Sequence, residues 1–413
     1  MTTQRRDLRR GATIWGGAVI LVCVLPLIFS SNSAILVLTQ MAITIVFAMS
    51  YNMVLGQAGL LSFGHAVYMG VGGFAAVHVM NGALGSAVYL PILPLFGGLF
   101  SLGVATVIGG FSTRRGGTSF AMISLGVVEL VASFSIIVVA FFRGGGMLWD
   151  RTDGPQILGL DFAQHLDVYF LVTGWMLISV AAMYVFTQTP MGRLANAVRD
   201  NPERVEFVGY SARWVRFVSF CGAGFFAGIA GALSAIAFEI ASAENLTVQA
   251  SGTILLITFL GGIGVFYGPI LGAIVFTLLQ TVLSLHTDLW ELYVGVLFLA
   301  TVMYFPGGLA GLLALHLLPV RLGKMGMLWG PYLRVFVPAG IGVLGCAAFA
   351  EMLYHSQKSI VDGSEMPLFG MVVDTDHFLP WAGACGVAIL GIAVARRQRP
   401  ILADAWNRAT IVD

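Results

Sequence analysis

Long apolar stretches separated by short polar ones dominate the chain from end to end. Such runs cover residues 13–29, 35–55, 59–80, 87–110, 119–142, 168–186, 215–240, 252–285, 292–313, 335–354 and 378–395. Most of them approach the roughly 20 residues that an α-helix needs to cross the hydrocarbon core of a bilayer. The pattern therefore predicts an all-α membrane protein, a polytopic bundle of transmembrane helices.

The distribution of basic residues predicts the orientation of this bundle, because cytoplasmic loops carry an excess of Lys and Arg. With the N-terminus in the cytoplasm and successive runs alternating, all but three of the 21 Lys and Arg residues are cytoplasmic. The exceptions are Arg143, Arg151 and Lys358. The scheme requires the run 252–285 to enter and return, and its glycine-rich centre, 261–269, provides a break. We predict about ten crossings plus one broken or re-entrant hairpin, with both termini cytoplasmic.

Composition supports a membrane protein and argues against several other classes. The chain is 58% hydrophobic and 10% charged, whereas a soluble domain has about 25% charged residues. A net charge of +1 and the lack of a basic patch outside the loops give no indication of nucleic-acid binding. Neither Lys324 nor Lys358 follows the glycine pattern of a phosphate-binding loop. We therefore expect no enzymatic activity, no cofactor and no metal site in this chain.

Three parts of the chain are predicted. Residues 1–34 form a cytoplasmic tip and a first span. Residues 35–315 form the core, with a long cytoplasmic loop at 187–216. Residues 316–413 form a C-terminal extension with two further spans and a cytoplasmic tail.

Two glycine-rich stretches interrupt apolar runs with polar groups or bends. In 51–73 the polar side chains of Gln57, Ser62 and His65, together with Gly64, lie at membrane depth, where polar groups are costly unless they face a partner or a pathway. The alternative is close helix packing at the glycines, with the Ser62 hydroxyl bonded to a backbone carbonyl. The second stretch contains the glycines of the hairpin break, which either line a pathway or form a packing kink: Gly261, Gly262 and Gly264.

The cytoplasmic loop predicts a short, rigid and amphipathic element. Pro190 favours the first turn of a helix, and Asn201-Pro202 interrupts that helix because the residue before proline avoids the α region. A second helix, 202–208, is expected to end at Gly209 in the left-handed region, and Glu203 suits its first turn. The loop also carries several arginines: Arg193, Arg199, Arg204, Arg213 and Arg216. Such an element is expected to dock on another protein.

Glu129 is a carboxylate deep within an apolar run. Intramembrane carboxylates are rare and often functional. Glu129 either carries a proton or forms a structural pair with a neighbouring Ser or Tyr.

Three segments, in order, resemble permeases of branched-chain amino acid ABC importers. They are 52–73 (NMVLGQAGLLSFGHAVYMGVGG), 190–209 (PMGRLANAVRDNPERVEFVG) and 259–273 (FLGGIGVFYGPILGA). The resemblance covers roughly 36–315, and the M-type subunit of leucine/isoleucine/valine importers is the nearest form. The chain departs from the family at Glu203–Glu206, where small residues are common. Related permeases for urea, short amides and aromatic acids leave the solute open.

The resemblance implies a multi-pass protein of the bacterial inner membrane that works with several partners. These are a second homologous permease, two cytoplasmic P-loop ATPases and a periplasmic solute-binding protein. It implies that the ATPases receive the cytoplasmic loop, for which the candidate residues are Arg199, Asp200, Asn201, Glu203, Glu206 and Gly209. Two other classes remain: a proton-coupled secondary transporter that uses Glu129, and a membrane scaffold without transport.

Overall fold

The computed structural model describes residues 2–82, 85, 88–143, 146–153, 162–305, 307–362, 364–368 and 370–410. The chain divides into two units, Met1–Gly311 and Leu312–Asp413. The first unit begins with α1 (Thr2–Ile28), α2 (Asn32–Asn52), a π-helical turn (Met53–Gln57), α3 (Ala66–Asn81), a 3₁₀ turn (Leu90–Ile92), α4 (Leu93–Ser112), α5 (Thr118–Ile137) and α6 (Val139–Phe142). It continues with β1 (Gly146–Leu148), a 3₁₀ turn (Arg151–Asp153), α7 (His165–Gln188), α8 (Pro190–Asp200), α9 (Pro202–Phe207), α10 (Ala212–Phe238), β2 (Ile240–Ser242), a 3₁₀ turn (Ala243–Leu246), α11 (Val248–Gly261), α12 (Gly268–Ser284) and α13 (Trp290–Tyr304).

The predicted polytopic all-α architecture is confirmed. Within the described residues, seven helices are long and apolar enough to cross a membrane. Shorter apolar helices accompany them at Trp15–Ile28, Ala66–Asn81, Val248–Gly261 and Gly268–Ser284. The run 252–285 is broken where the sequence predicted, between α11 and α12. These two helices pack against each other as a hairpin, with Gly261 against Gly268 and Gly272 against the Ile257 carbonyl.

Two predicted runs are not continuous helices. The run 59–80 is helical only from Ala66. Gly59 has a φ of +67°, which a helix does not allow, and the residues between it and α3 are not α-helical. The run 292–313 is divided between α13 and α14 (Gly308–Arg321). Phe305, which precedes a proline in the sequence, lies outside the helical region at φ −132° and ψ 72°, and the residue before a proline avoids that region.

The centre of the first unit is built from α2, α3, α4 and α10. Gly72 of α3, Gly97 of α4 and Gly228 of α10 lie so close together that a methyl group on any of them would overlap a neighbouring backbone. Small residues let transmembrane helices approach closely, because van der Waals packing drives their association in lipid. The Ser101 hydroxyl of α4 adds a hydrogen bond of 2.7 Å to the Tyr68 carbonyl of α3.

A short ribbon and a buried arginine join the ends of several helices. β1 pairs antiparallel with β2, with Met147 opposite Ala241. The buried guanidinium of Arg151 donates to the Phe162 carbonyl (2.8 Å) and the Ala237 carbonyl (3.3 Å), and it lies 3.5 Å from Glu239. Arg151 therefore holds backbone carbonyls together at this end of the unit.

The second unit contains the C-terminal part of α14, then α15 (Gly326–Asp362), β3 (Glu365–Leu368), β4 (Met371–Asp374) and α16 (Phe378–Thr410). β3 and β4 form an antiparallel hairpin. α15 and α16 pack closely through Gly345 against Ala388 and Gly342 against Gly391.

Candidate functional site

The first element of the candidate site is the interruption between α2 and α3. The π-helical turn Met53–Gln57 ends α2, and a non-helical stretch leads to Ala66. We call residues 50–66 the break segment. His65 lies beside Ser50, and Ser50 precedes Gly56 by six residues. The non-helical stretch therefore runs back alongside α2 for about 9 Å, at 1.5 Å per helical residue. Irregular backbone at membrane depth is tolerated where protein buries it or where it lines a cavity.

His65 is completely buried in the break segment. Its ring stacks on Phe47 with centroids 5.6 Å apart, and its Nε2 lies 2.9 Å from the Ser50 hydroxyl. The single hydroxyl proton of Ser50 is donated to the Phe47 carbonyl at 2.7 Å. Nε2 of His65 must therefore be the donor, and in the neutral ring Nδ1 is an acceptor.

Several buried polar atoms of the break segment lack a hydrogen-bond partner among the described residues. They are Asn52 Oδ1, Gln57 Oε1, Ser62 Oγ and His65 Nδ1. Most buried polar groups in proteins are paired, and an unpaired one requires an explanation. The expected bond from Ser62 to a backbone carbonyl is absent; instead the Ser62 carbonyl accepts from Tyr51 Oη at 3.0 Å. Three of the four unpaired atoms are acceptors, so this segment suits a molecule that brings donors.

Serines from two distant helices hold the start of α3. Ser124 of α5 accepts from the Phe63 N–H, and Ser251 of α11 accepts from the Ala66 N–H, each at 3.0 Å. The sequence reasoning missed Ser124, Ser251, Asn52 and Tyr51. The available signal was a polar residue within an apolar run, but runs elsewhere in the chain contain similar serines.

The glycines of the hairpin break have different roles. Gly261 and Gly262 are buried, and Gly262 has a φ of +109° and abuts Gly307. Gly264 is exposed, with open space where a side chain would lie. A methyl group on Gly56 would lie 3.0 Å from the Ile263 carbonyl oxygen, so the break segment and the hairpin break are in direct proximity.

The second element of the candidate site is formed by α8 and α9, the element predicted to be cytoplasmic, which we call the coupling segment (residues 189–209). The predicted helix that begins at Pro190 and its interruption at Asn201-Pro202 are confirmed, and the structure adds two side-chain caps. Thr189 accepts from the Gly192 N–H at 3.2 Å and Asn201 from the Arg204 N–H at 3.0 Å. Gly209 follows with a φ of +92°. α9 ends at Phe207, one residue before its predicted end.

One face of the coupling segment is seated on α10. The seat is an apolar cluster of Ala195, Val198, Val205, Ala212 and Val215. The opposite face is exposed and includes most of the predicted docking residues: Asp200, Asn201, Glu203, Glu206 and Gly209. The structure adds Phe207 and Val208, which are 91% and 71% exposed. An exposed aromatic side chain at the tip of a rigid polar element is typical of a protein contact.

Arg199 differs from the other predicted docking residues because its side chain turns toward its own chain. It donates to the Gly56 carbonyl of the break segment and, at 3.1 Å, to Asp200. Gly59 packs against its aliphatic stem, where an added methyl group would lie 2.7 Å from Arg199 Cγ. The structure therefore brings together a coupling residue and the predicted pathway.

Glu129 lies on an exposed face of α5 and makes no hydrogen bond or ion pair with any described residue. The structural pair with a neighbouring Ser or Tyr is therefore absent. In the described part of the chain, no group of three or more His, Cys, Asp or Glu side chains is placed to bind a metal ion.

An apolar cavity of about 390 Å³ lies between α1, α2, α7 and α12. Its wall includes Trp15, Met41, Tyr169 and Phe266, and it contains none of the predicted pathway residues. A polar solute needs a few placed polar groups in its site. The break segment, and not this cavity, offers them.

Comparisons with known proteins cover the same region of the chain. A family model described as the permease component of the branched-chain amino acid transport system matches residues 33–305. The high-affinity branched-chain amino acid transport system permease protein LivM of Escherichia coli is 26% identical over 68% of this chain and 70% of its own length. The ribose import permease protein RbsC of Haemophilus influenzae is 23% identical over 65% of this chain and 83% of its own. No solved structure matches the chain significantly.

The autoinducer 2 import system permease protein LsrC of Klebsiella pneumoniae is 28% identical over 47% of this chain and 60% of its own length. The break segment, the coupling segment and the hairpin break all lie within the matched residues 33–305.

Proposed function

Because the chain belongs to the family of permease components of branched-chain amino acid transport systems, and is thus a multi-pass permease of an ABC importer, we propose that its solute is a branched-chain amino acid. The name of LivM specifies branched-chain amino acids, whereas the names of RbsC and LsrC specify ribose and autoinducer 2. Sequence similarity alone therefore leaves the solute open, and the choice rests on the chemistry of the break segment.

The observation that carries the proposal is the set of buried acceptors without donors: Asn52 Oδ1, Gln57 Oε1 and His65 Nδ1. The ammonium group of an amino acid is complementary to them, because it offers three N–H donors and no acceptor. The aromatic rings of Phe47 and Tyr68 flank His65. Apolar groups beside a few polar anchors suit a small amino acid with an aliphatic side chain.

Urea and short amides are the second candidate class, since they also present N–H donors to these acceptors. An aromatic acid fits less well, because its carboxylate is an acceptor and would face the Asn52, Gln57 and His65 acceptors without a donor between them.

The importer as a whole is inferred to contain a second homologous permease, two cytoplasmic P-loop ATPases and a periplasmic solute-binding protein in the bacterial inner membrane. The coupling segment supports the ATPase contact, because it is seated rigidly on α10 and presents Phe207 between Glu206 and Val208 at its exposed tip. In this arrangement the chain itself hydrolyses no ATP and moves solute in response to the ATPases.

The solute assignment is tested by uptake in the native host. A strain without this gene is expected to lose saturable uptake of radiolabelled leucine, and isoleucine and valine compete for that uptake in the parent strain. Ribose and urea uptake are expected to remain. A wild-type copy restores leucine uptake, and so does a Glu129→Gln copy, because ATP and not a proton on Glu129 drives the transport.

Two results would contradict this assignment. Normal leucine uptake together with lost urea or ribose uptake would show that the solute is wrong. Failure of Glu129→Gln, together with abolition of wild-type uptake by a protonophore at constant ATP, would support a proton-coupled carrier instead.

A further inference from the structure

Arg199 occupies the place where the coupling segment contacts the membrane-embedded core. It lies in the last turn of α8, and its guanidinium donates to the carbonyl of Gly56 in the π-helical turn that ends α2. Its aliphatic stem lies against Gly59, whose φ of +67° and close approach leave no room for a side chain. The contact is only partly open to solvent, with the Arg199 side chain 36% exposed.

The chemistry of this contact makes it suitable for transmitting force. The last carbonyls of a helix have no intrahelical partner, and the C-terminal end of a helix carries partial negative charge. A guanidinium therefore finds at Gly56 both an available acceptor and a favourable field. Hydrogen bonds with a charged donor are about twice as strong as neutral ones.

Gly56 in turn abuts groups of the proposed pathway. A methyl group at Gly56 would overlap Asn52 Oδ1, one of the unpaired acceptors, and would lie 3.0 Å from the Ile263 carbonyl of the hairpin break. Gln57, which has another unpaired acceptor, is the next residue in the chain. Gly56 therefore lies between the Arg199 contact on one side and the Asn52 acceptor and the hairpin break on the other.

The other exposed arginines of this cytoplasmic region make no comparable contact. The side chains of Arg193, Arg204 and Arg213 form no hydrogen bond or ion pair with a described residue. The link to the core is therefore specific to Arg199 among these four.

We propose that Arg199 is a positioning residue that connects the coupling segment to the break segment, so that ATPase-driven movement of α8 moves the Gly56 carbonyl and the neighbouring solute acceptors. Arg199 touches neither the solute nor, through its guanidinium, the ATPase. This inference rests on the proposed importer function and reassigns Arg199 from the predicted docking surface to an internal connection.

The test uses the assembled importer in proteoliposomes with its binding protein, and compares Arg199→Gln with Arg193→Gln as a matched control on the same helix. Arg199→Gln is expected to retain its ATPase subunits and ATP hydrolysis. The amount of solute moved per ATP is expected to fall about tenfold or more, in the range of ordinary coupling energies. Arg199→Lys is expected to recover part of the ratio because it keeps a charged donor. Arg193→Gln is expected to keep the wild-type ratio.

Gly59→Ala provides an independent variant, since the added methyl group displaces the Arg199 stem without removing the guanidinium. It is expected to lower the same ratio. The proposal is overturned if Arg199→Gln and Gly59→Ala both keep the wild-type ratio, or if Arg199→Gln loses its ATPases as a docking variant does. If the wild-type chain itself retains no ATPase, the importer function fails, which is a distinct result.

Discussion

At the residue scale, the beginning of α3 shows how a buried apolar helix finds acceptors for its first N–H groups. The first N–H groups of a helix have no intrahelical acceptor, and the bilayer core supplies none. Ser251 provides such an acceptor for the Ala66 N–H from 185 residues away, and Ser124 accepts from the N–H of Phe63, just before the helix, from 61 residues away. The sequence places each serine in an apolar run but gives no sign of which helix it contacts.

Removal of one of these acceptors is expected to destabilise the protein. Ser251→Ala leaves the Ala66 N–H unpaired and should lower the free energy of unfolding by about 1–3 kcal/mol. Thr253→Ala is the control, because Thr253 is only partly buried on the same helix and its hydroxyl bonds to the Gln249 carbonyl within that helix; its effect should stay within about 0.5 kcal/mol. Denaturant unfolding in detergent measures both, and equal effects would contradict the role given to Ser251.

At the element scale, the sequence reveals helix boundaries that are set by local signals but not those that are set by long-range packing. The coupling segment is predictable because Pro190, Pro202 and Gly209 act on neighbouring residues, the prolines at the helix starts and Gly209 through a positive φ. The start of α3 at Ala66 is not, because the residues before it are mainly apolar and glycine-rich and their hydrogen bonds go to other helices. The exposure of Phe207 is likewise not predictable from the local sequence, because it depends on how α9 packs against α10.

The hairpin of α11 and α12 provides a test of packing at this scale. Gly272→Ala puts a methyl group onto the Ile257 carbonyl, which is backbone and cannot move aside, so we expect destabilisation of about 1–3 kcal/mol. Gly252→Ala on α11 meets open space and should be neutral or stabilising by up to about 1 kcal/mol, since Ala favours helix over Gly. Thermal unfolding of the purified protein distinguishes them. Equal melting temperatures for the two variants would show that the hairpin is not packed in this way.

At the scale of the whole molecule, the proposed coupling depends on segments that are far apart in the chain. Gly56, Arg199 and Ile263 come from three motifs that the sequence identifies separately, and the fold of the first unit brings them together. The motifs are recognisable because each has its own glycine or capping pattern. Their meeting point is set by helix packing across the unit, and no local pattern encodes it. The family match at residues 33–305 lies entirely within this unit.

The central claim is that this chain is a permease driven by ATPases bound to its coupling segment. We would purify a C-terminally tagged chain from its native host in mild detergent and identify the associated proteins by mass spectrometry. The wild-type chain should bring down P-loop ATPases and a second permease. Phe207→Asp should lose the ATPases and keep the second permease, while Leu285→Asp, at the exposed C-terminal end of α12 and outside the coupling segment, should keep both. A folded wild-type chain that purifies without any ATPase would contradict the account.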